Sequence, residues 1–378
     1  VLIAVSKRLQ NLIRKTDILS RFGGDEFVFV LDHLSEKSEL EVFAKKFLNS
    51  VRQPFNINGT IHSVSMSLGL SIYPKDGLTA MDLIENADTA MYEAKRSGKN
   101  QHAYYNSDIR LQQIKRYEMQ QDLERAVEQS QFVVFYQPQI DHKSKAIVGL
   151  EALVRWQHPD KGLINPDDFI PLAEEFKLII PIGEQVLRQA CLDIKQLHDD
   201  ALFTGYMSVN VSGIQIDSDL FLQTVNKILD ETQVTPTLLE MEITESVVMT
   251  NPEKWIALFK NLKSIGLKIA IDDFGKGYSS LSHLSDLPLD KLKIDMSFVK
   301  RLPHDKKARA IAQSIIDLSE NMGMVSLAEG IEKQEQQDFL EQQNCEIGQG
   351  FLFAKPMPFE ALKTWLVEYE ATIEQATA

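Results

Sequence analysis

From Phe132 onward the chain repeats one pattern, and that pattern limits the folds open to it. Short apolar runs alternate with helix-length segments, and most of the runs end in a polar or acidic residue. They are "FVVFYQPQI", "AIVGLEALVRW", "YMSVNVS", "LLEMEITES", "LKIAIDDFG", "LKIDMSFV", "MVSLAEG" and "GQGFLFAKP". Apolar runs separated by helices imply βα units on a parallel sheet. About eight such units in about 250 residues suit a closed barrel. The first two runs are joined only by the polar "DHKSK", which is hairpin length and too short for a crossover helix. The expected fold is α/β: a (β/α)8 TIM-like barrel with one antiparallel strand near its start.

The region before the barrel has a different texture. Residues 1–107 hold a helix-like stretch, the strand "FVFVL", a helix over 36–52, the hairpin-like "FNINGTIHSVSMSLGLSIYP" and the helix "TAMDLIENADTAMYEAKRSG". This reads as a small mixed α/β layer. The charged, glycine-free stretch from Ile109 to Ser130 has the composition of a connecting helix, and equally of the next domain's first helix. The expected division is 1–107, a connecting helix over 108–118, and a barrel domain over 119–378. The chain opens at Val1 without Met, which reads as a fragment lacking its natural N-terminus, with room upstream for a sensor or membrane anchor. No apolar run approaches the ~18 residues that span a bilayer. Cys191 and Cys345 are the only two cysteines and are expected to be reduced core residues of a cytoplasmic protein.

A net charge of -14 leaves no basic field to neutralise a nucleic-acid polymer. An anionic substrate would need local cations, and bound metals supply them. Asp272 and Asp273 sit at one predicted strand end; Glu151, Asn210, Glu242, Asp295 and Glu329 sit in or just after others. Lys293 precedes Asp295 by two, so strand alternation puts both on one side. A single acid at a strand end is ordinarily a cap for the next helix. Five or six converging on one mouth would repel one another and be pushed towards protonation, a cost that a hard divalent cation reverses. Oxygen ligands without His or Cys point to Mg²⁺ or Mn²⁺ rather than zinc. Adjacent carboxylates can serve two ions about 3.5–4 Å apart, the arrangement used on phosphodiesters. The same chemistry also suits proton abstraction next to a carboxylate, with a metal-stabilised enolate.

The motifs resemble the EAL domain of bacterial cyclic-di-GMP phosphodiesterases. "YQP" occupies 136–138, "EALVRW" 151–156, "NVS" 210–212, "EITES" 242–246, "DDFGKGYSSL" 272–281, "KID" 293–295, "AEGIE" 328–332 and "QGFLF" 349–353. This order, which the enolate reading does not explain, runs from about residue 115 to 370. The resemblance implies metal-dependent opening of cyclic-di-GMP to linear pGpG, with a non-hydrolysing cyclic-di-GMP receptor as the alternative. It implies that Glu151, Asn210, Glu242 and Asp272 hold one metal, and Asp272, Asp273 and Glu329 a second. Lys293 would position the attacking water, and Glu329 is sometimes cast as general base. Gln137 and Arg155 would contact the dinucleotide, and Asp295, Glu332 and Gln349 would complete the pocket. Glu245 would brace the loop after Asp273, a loop tied to metal binding and to a homodimer contact. Lys276 departs from the family's usual Thr in that loop.

Residues 1–107 resemble the second half of a GGDEF, nucleotidyl-cyclase-like domain, with "RFGGDEF" at 21–27 and "MYEAKRSGKN" at 91–100. The resemblance assigns phosphate approach to Gly23 and Gly24, Mg²⁺ binding to Asp25 and Glu26, and phosphate contacts to Lys95 and Lys99. Arg14 and Asp17 match an inhibitory RxxD site. The family's first half would precede Val1, so cyclase activity belongs at most to a bifunctional parent protein.

Overall fold

The computed structural model describes residues 1–32, 34, 37–277 and 284–377. They form two compact units, Val1–Glu118 and Met119–Ala378, and the division falls within the helix Ser107–Glu128.

In the first unit, helix Leu2–Gln10 packs on helix Lys37–Arg52. The small core they share with the adjacent strands includes Val5, Leu9, Phe47, Val51 and Phe55. Phe43, Phe47 and Val51 recur every four residues, so one helical stripe turns inward. The strands Ile18–Gly23 and Glu26–Val30 form an antiparallel pair, and Phe55–Ile57 with Thr60–His62 a second. Asn58 and Gly59, at φ 53 and 85, make the tight turn that a two-residue hairpin requires. Leu68–Leu70 runs parallel to His102–Tyr104 and lies against helix Ala80–Arg96. A Cβ on Gly69 would fall 1.8 Å from Ala87 O, so only glycine permits that approach. The single mixed layer expected from sequence is divided: the described strands form three separate two-stranded ladders. Four of the six strands have only three residues, too few to carry extended pairing.

The second unit is the barrel. Among the described residues, eight strands close in the order Phe132–Asp141, Ile147–His158, Tyr206–Asn210, Leu239–Thr244, Lys268–Phe274, Lys291–Ile294, Val325–Ala328 and Ile347–Gly348, which pairs back to the first. The first strand is antiparallel to both neighbours, and the other pairings between neighbours are parallel. The expected irregular barrel is therefore present. Trp156, Phe169, Ile194 and Phe259 are among its fully buried side chains.

Two of the apolar runs are shorter as strands than the sequence suggests. "LKIDMSFV" leaves the sheet after Ile294, and Asp295 caps the helix Met296–Val299 by accepting from Ser297 N at 2.9 Å. Asp295 is thus a helix cap, and the alternation that placed it beside Lys293 stops one residue before it. "GQGFLFAKP" contributes only Gly348 to the eighth strand, and the chain then turns. There the backbone presses on Ile331, whose carbonyl oxygen would lie 2.1 Å from a Cβ at Gly350.

Strand alternation fills the interior with two stacked polar layers. In the lower one, the Lys291 ammonium donates to Glu240 Oε1 at 2.6 Å, Tyr206 Oη at 2.7 Å and Gln139 Oε1 at 3.3 Å. Ser208 Oγ donates to Glu240 Oε1 at 2.7 Å, and Tyr206 Oη to Gln139 Oε1 at 2.8 Å. Lys291 and Glu240 are 3% and 1% exposed, so neither charge is relieved by water. Two residues further towards the C-terminal strand ends stand Lys293, Glu242 and Asn210. On the antiparallel first strand the step runs backwards, from Gln139 to Gln137.

A buried pair of this kind costs little when replaced whole but strands a charge when halved, by roughly 3–5 kcal/mol. Glu240→Leu should therefore lower the unfolding free energy of the barrel by about that amount, while Glu240→Leu with Lys291→Met should recover most of it. Urea unfolding followed by fluorescence reads the barrel alone, because Trp156, Trp255 and Trp365 all lie in it. Equal losses in both variants would contradict the uncompensated-charge account.

Candidate functional site

The upper polar layer centres on Lys293, which is 0% exposed. Its ammonium lies 2.5 Å from Glu242 Oε2, 2.5 Å from Glu329 Oε1, 3.5 Å from Asp272 Oδ1 and 3.7 Å from Glu151 Oε1. Four different strands, or the residue just beyond one, deliver these four carboxylates. Parallel register aligns them: Glu242 pairs with Asn210, and Thr244 with Asp272. Glu329 follows the seventh strand, and its amide donates to Ile294 O at 3.1 Å.

Glu151 is held from three sides. Asn210 Nδ2 donates to Oε1 at 2.6 Å, Gln349 Nε2 donates to Oε2 at 2.5 Å, and Lys293 supplies the charge. Gln349 also donates to Gln137 Oε1 at 3.0 Å, and Gln137 Nε2 donates to Ala354 O at 3.0 Å. These amides close a chain of hydrogen bonds from the first strand to the segment after the eighth.

The charges do not balance. Among the described residues, the ion pairs of Glu151, Glu242, Asp272, Asp273 and Glu329 run to Lys293 and Lys276, with the Arg155 guanidinium acting on Glu151 from further off. Burial works against every charge here. For Lys293 the carboxylates of Asp272, Glu151, Glu242 and Glu329 outweigh burial and hold the ammonium charged well above its usual range. Burial, with the neighbouring carboxylates, pushes Glu329 up to about 8 and Glu242 well above its ordinary value. Burial, aided by the neighbouring carboxyl groups of Asp295 and Asp272, also pushes Asp273 up. At Glu151 the burial cost is overcome by Lys293, Gln349 and Asn210, and its carboxyl falls below the usual value. The site thus has more anionic oxygen than its own cations satisfy, and Glu242 Oε1 is buried without a hydrogen-bond partner among the described residues. One carboxylate oxygen from each of Asp272, Asp273 and Glu329 lies within 4.8 Å of the others. This all-oxygen donor set, short of positive charge and with a buried lone pair open, fits a hard divalent cation.

Asp273 has a left-handed backbone, φ +57, at an irregularity within the fifth strand, where the pairing skips from Ile271 to Phe274. Its carboxylate meets Lys276 Nζ at 2.8 Å, and the same ammonium lies 2.9 Å from Asp295 Oδ2. Glu245 Oε2 accepts from Gly275 N at 2.9 Å and Gly277 N at 3.3 Å, so it grips the backbone on both sides of Lys276. Tyr278 to Leu281, the end of the "DDFGKGYSSL" motif, lie outside the described residues.

Other sequence candidates lie at a distance from this cluster or on its border. Arg155 is half-buried on the second strand, donates to Val154 O at 2.8 Å and lies over the Phe135 ring. Glu332 is exposed, and its backbone amide is capped by Gln336 Oε1 at 2.8 Å. In the first unit Gly23, Gly24, Asp25 and Glu26 form the exposed hairpin turn, and Arg21 donates to Gly24 O. Lys95 and Lys99 are exposed at and beyond the end of helix Ala80–Arg96. The Asp17 carboxylate accepts from the backbone amides of Arg14 at 2.7 Å and Asp32 at 3.3 Å.

Sequence reasoning overlooked the layer beneath. Lys291, Glu240, Ser208, Tyr206 and Gln139 stand two or four residues from site residues on their own strands. The signal was available in the same period of two that linked Lys293 to the mouth.

Residues 120–356 match the model of the EAL domain, and residues 1–101 that of the diguanylate cyclase, GGDEF domain. The chain is 37% identical over 362 residues to the bifunctional diguanylate cyclase/cyclic di-GMP phosphodiesterase MucR of Pseudomonas aeruginosa, covering 96% of this chain and 53% of that protein. It is 34% identical over 365 residues to the cyclic di-GMP phosphodiesterase NbdA of the same organism, covering 97% of this chain and 46% of the relative. It therefore spans about half the length of these curated relatives. The solved structure of a MucR phosphodiesterase–c-di-GMP complex superposes with a TM-score of 0.63 at 39% identity, over 65% of this chain and 99% of that one. With the family model matching more than half of its length, the chain belongs to the EAL domain family and carries GGDEF-domain residues ahead of its barrel.

Proposed function

We propose that this chain hydrolyses cyclic-di-GMP to linear pGpG. The observation that carries the reading is the fully buried Lys293 set among four carboxylates at the C-terminal strand ends of a barrel. The names of MucR and NbdA, and the c-di-GMP complex of MucR, support the choice of substrate. In the reaction, water oxygen attacks phosphorus as the P–O3′ bond breaks. The water's proton leaves to a site base and the departing 3′ oxygen gains one, leaving a linear dinucleotide with a 5′-phosphate.

Two Mg²⁺ or Mn²⁺ ions, when bound, would make water a better nucleophile and neutralise charge on the phosphoryl group. Glu151, Asn210, Glu242 and Asp272 would hold one ion; Asp272, Asp273 and Glu329 would hold the other. The chain's own contribution is positioning. Lys293 fixes the carboxylates of Glu242 and Glu329 by direct contact and supplies a cation that water cannot screen. Gln349 and Asn210 orient Glu151. Gln137 and Arg155 would receive the dinucleotide, the guanidinium fork matching two phosphate oxygens. Asp295, Glu332 and Gln349 would border the pocket, and Glu245 would hold the loop after Asp273.

The wider organisation belongs to the same reading. Residues 1–107 form the C-terminal part of a GGDEF domain, 108–118 a connecting helix and 119–378 the EAL domain. Gly23, Gly24, Asp25, Glu26, Lys95, Lys99, Arg14 and Asp17 would serve nucleotide binding only in a whole GGDEF domain. The EAL domain would pair as a homodimer. Among the described residues no helix is long and apolar enough to cross a membrane. Both cysteines are free and buried, as reduced thiols of a cytoplasmic protein would be.

Incubation with cyclic-di-GMP and Mg²⁺ or Mn²⁺ should yield pGpG by chromatography. Glu151→Ala should reduce turnover more than about 100-fold, beyond the loss typical for outer partners of metal ligands. Tight cyclic-di-GMP binding without any product would instead identify a receptor. Replacing Mg²⁺ by Ca²⁺ should leave binding but remove most turnover, because Ca²⁺ coordinates at longer distances and with looser geometry. Equal rates with the two ions would exclude the two-ion arrangement.

A further inference from the structure

Lys276 stands where a second cation is wanted. Its ammonium spans Asp273 Oδ1 at 2.8 Å and Asp295 Oδ2 at 2.9 Å, and Asp273 belongs to the Asp272–Asp273–Glu329 oxygen cluster. The position is built. Gly275 and Gly277 both donate to Glu245 Oε2, which pins the backbone either side of Lys276. Asp273 itself has a left-handed backbone at an irregularity of the fifth strand. Asp295 is held in place by its bond from Ser297 N. Lys276 is half-exposed, so its head can swing into water without unfolding anything, whereas Lys293 cannot.

We propose that Lys276 is a resident countercation of the site, neutralising Asp273 and Asp295 until a divalent ion arrives and so weakening the binding of the ion on the Asp273–Glu329 side. The inference rests on the metal-dependent reading above and extends it. An incoming ion must take Asp273 from an ammonium that already satisfies it; Lys293 bears on the ligands of both ions, whereas Lys276 pairs with a ligand of the Asp273–Glu329 side. The two sites therefore differ in affinity, and the chain becomes fully loaded only at higher metal concentration. The electrostatic logic is direct: both cations want the same oxygens, and two of them at hydrogen-bond range of one carboxylate repel.

The test adds Mn²⁺ stepwise to the full chain without substrate and reads free Mn²⁺ by electron paramagnetic resonance. Wild type should show a tight and a weak class of sites. Lys276→Thr and Lys276→Met should tighten the weak class by about three- to tenfold, the scale of a partly exposed ion pair with two partners, and leave the tight class unchanged. Lys276→Arg, which keeps the charge, should behave as wild type. Unchanged or weaker binding at the weak class in both neutral variants overturns the inference, as does an equal shift of both classes. Those outcomes leave the phosphodiesterase reading intact. Failure of wild type to take up any Mn²⁺ overturns both.

Discussion

A lysine ammonium buried among like-charged carboxylates governs the barrel's architecture. Lys293 has no access to water, so its charge is tolerable only with anionic oxygens at close range. Glu151, Glu242, Asp272 and Glu329 cannot crowd together without a cation between them. Each requirement answers the other, and both are met only if distant strands arrive in register. The parallel pairings supply that register, and the amide chain through Gln137 and Gln349 joins the first strand to the last. Yet one ammonium does not neutralise four carboxylates. The raised Glu329 and Glu242, and the unpartnered oxygen of Glu242, record the shortfall. The same imbalance that costs stability in isolation makes the site receptive to divalent cations.

The layer below shows how a polar interior can be accommodated where no chemistry is needed. Lys291 and Glu240 repeat the lysine–carboxylate pairing one step down, but there every partner is present: one lysine, one carboxylate, a tyrosine, a serine and a glutamine. A balanced layer beneath an unbalanced one means that the charge deficit is confined to the mouth, where ligands can reach it. It also gives the strands a second reason to hold register, since a slip by one residue would exchange lysine for leucine at the barrel axis.

The segment just after the fifth strand adds a second kind of cation to the site. Glu245, fully buried at the start of a short helix, spends its carboxylate on two glycine amides rather than on the cation cluster. That choice holds the backbone at Gly275 and Gly277, on either side of Lys276, which meets Asp273 and Asp295. The site therefore contains two cations of different character: Lys293, locked in the core, and Lys276, anchored by its backbone but free at its head.

Much of this was legible in the sequence. Apolar runs at helix-length spacing specified strands and helices, "DHKSK" was too short for anything but a hairpin, and carboxylates at strand ends marked the mouth. Glu151, Glu242, Asp272, Glu329 and Lys293 all proved to be neighbours. What the pattern could not give was where strands stop. Asp295 reads as a strand residue by alternation, yet the chain has already turned into a helix that it caps. "GQGFLFAKP" looks like a strand but yields to a close backbone approach at Gly350. Nor did the sequence show that Lys291 and Glu240 meet, or that Lys276 reaches Asp295 as well as Asp273, because those contacts join residues about 20 to 50 positions apart. Local sequence determines periodicity, since side-chain direction follows from backbone geometry within a few residues. Which charges share a space, and whether they balance, is decided only when distant strands close into a barrel and exclude water.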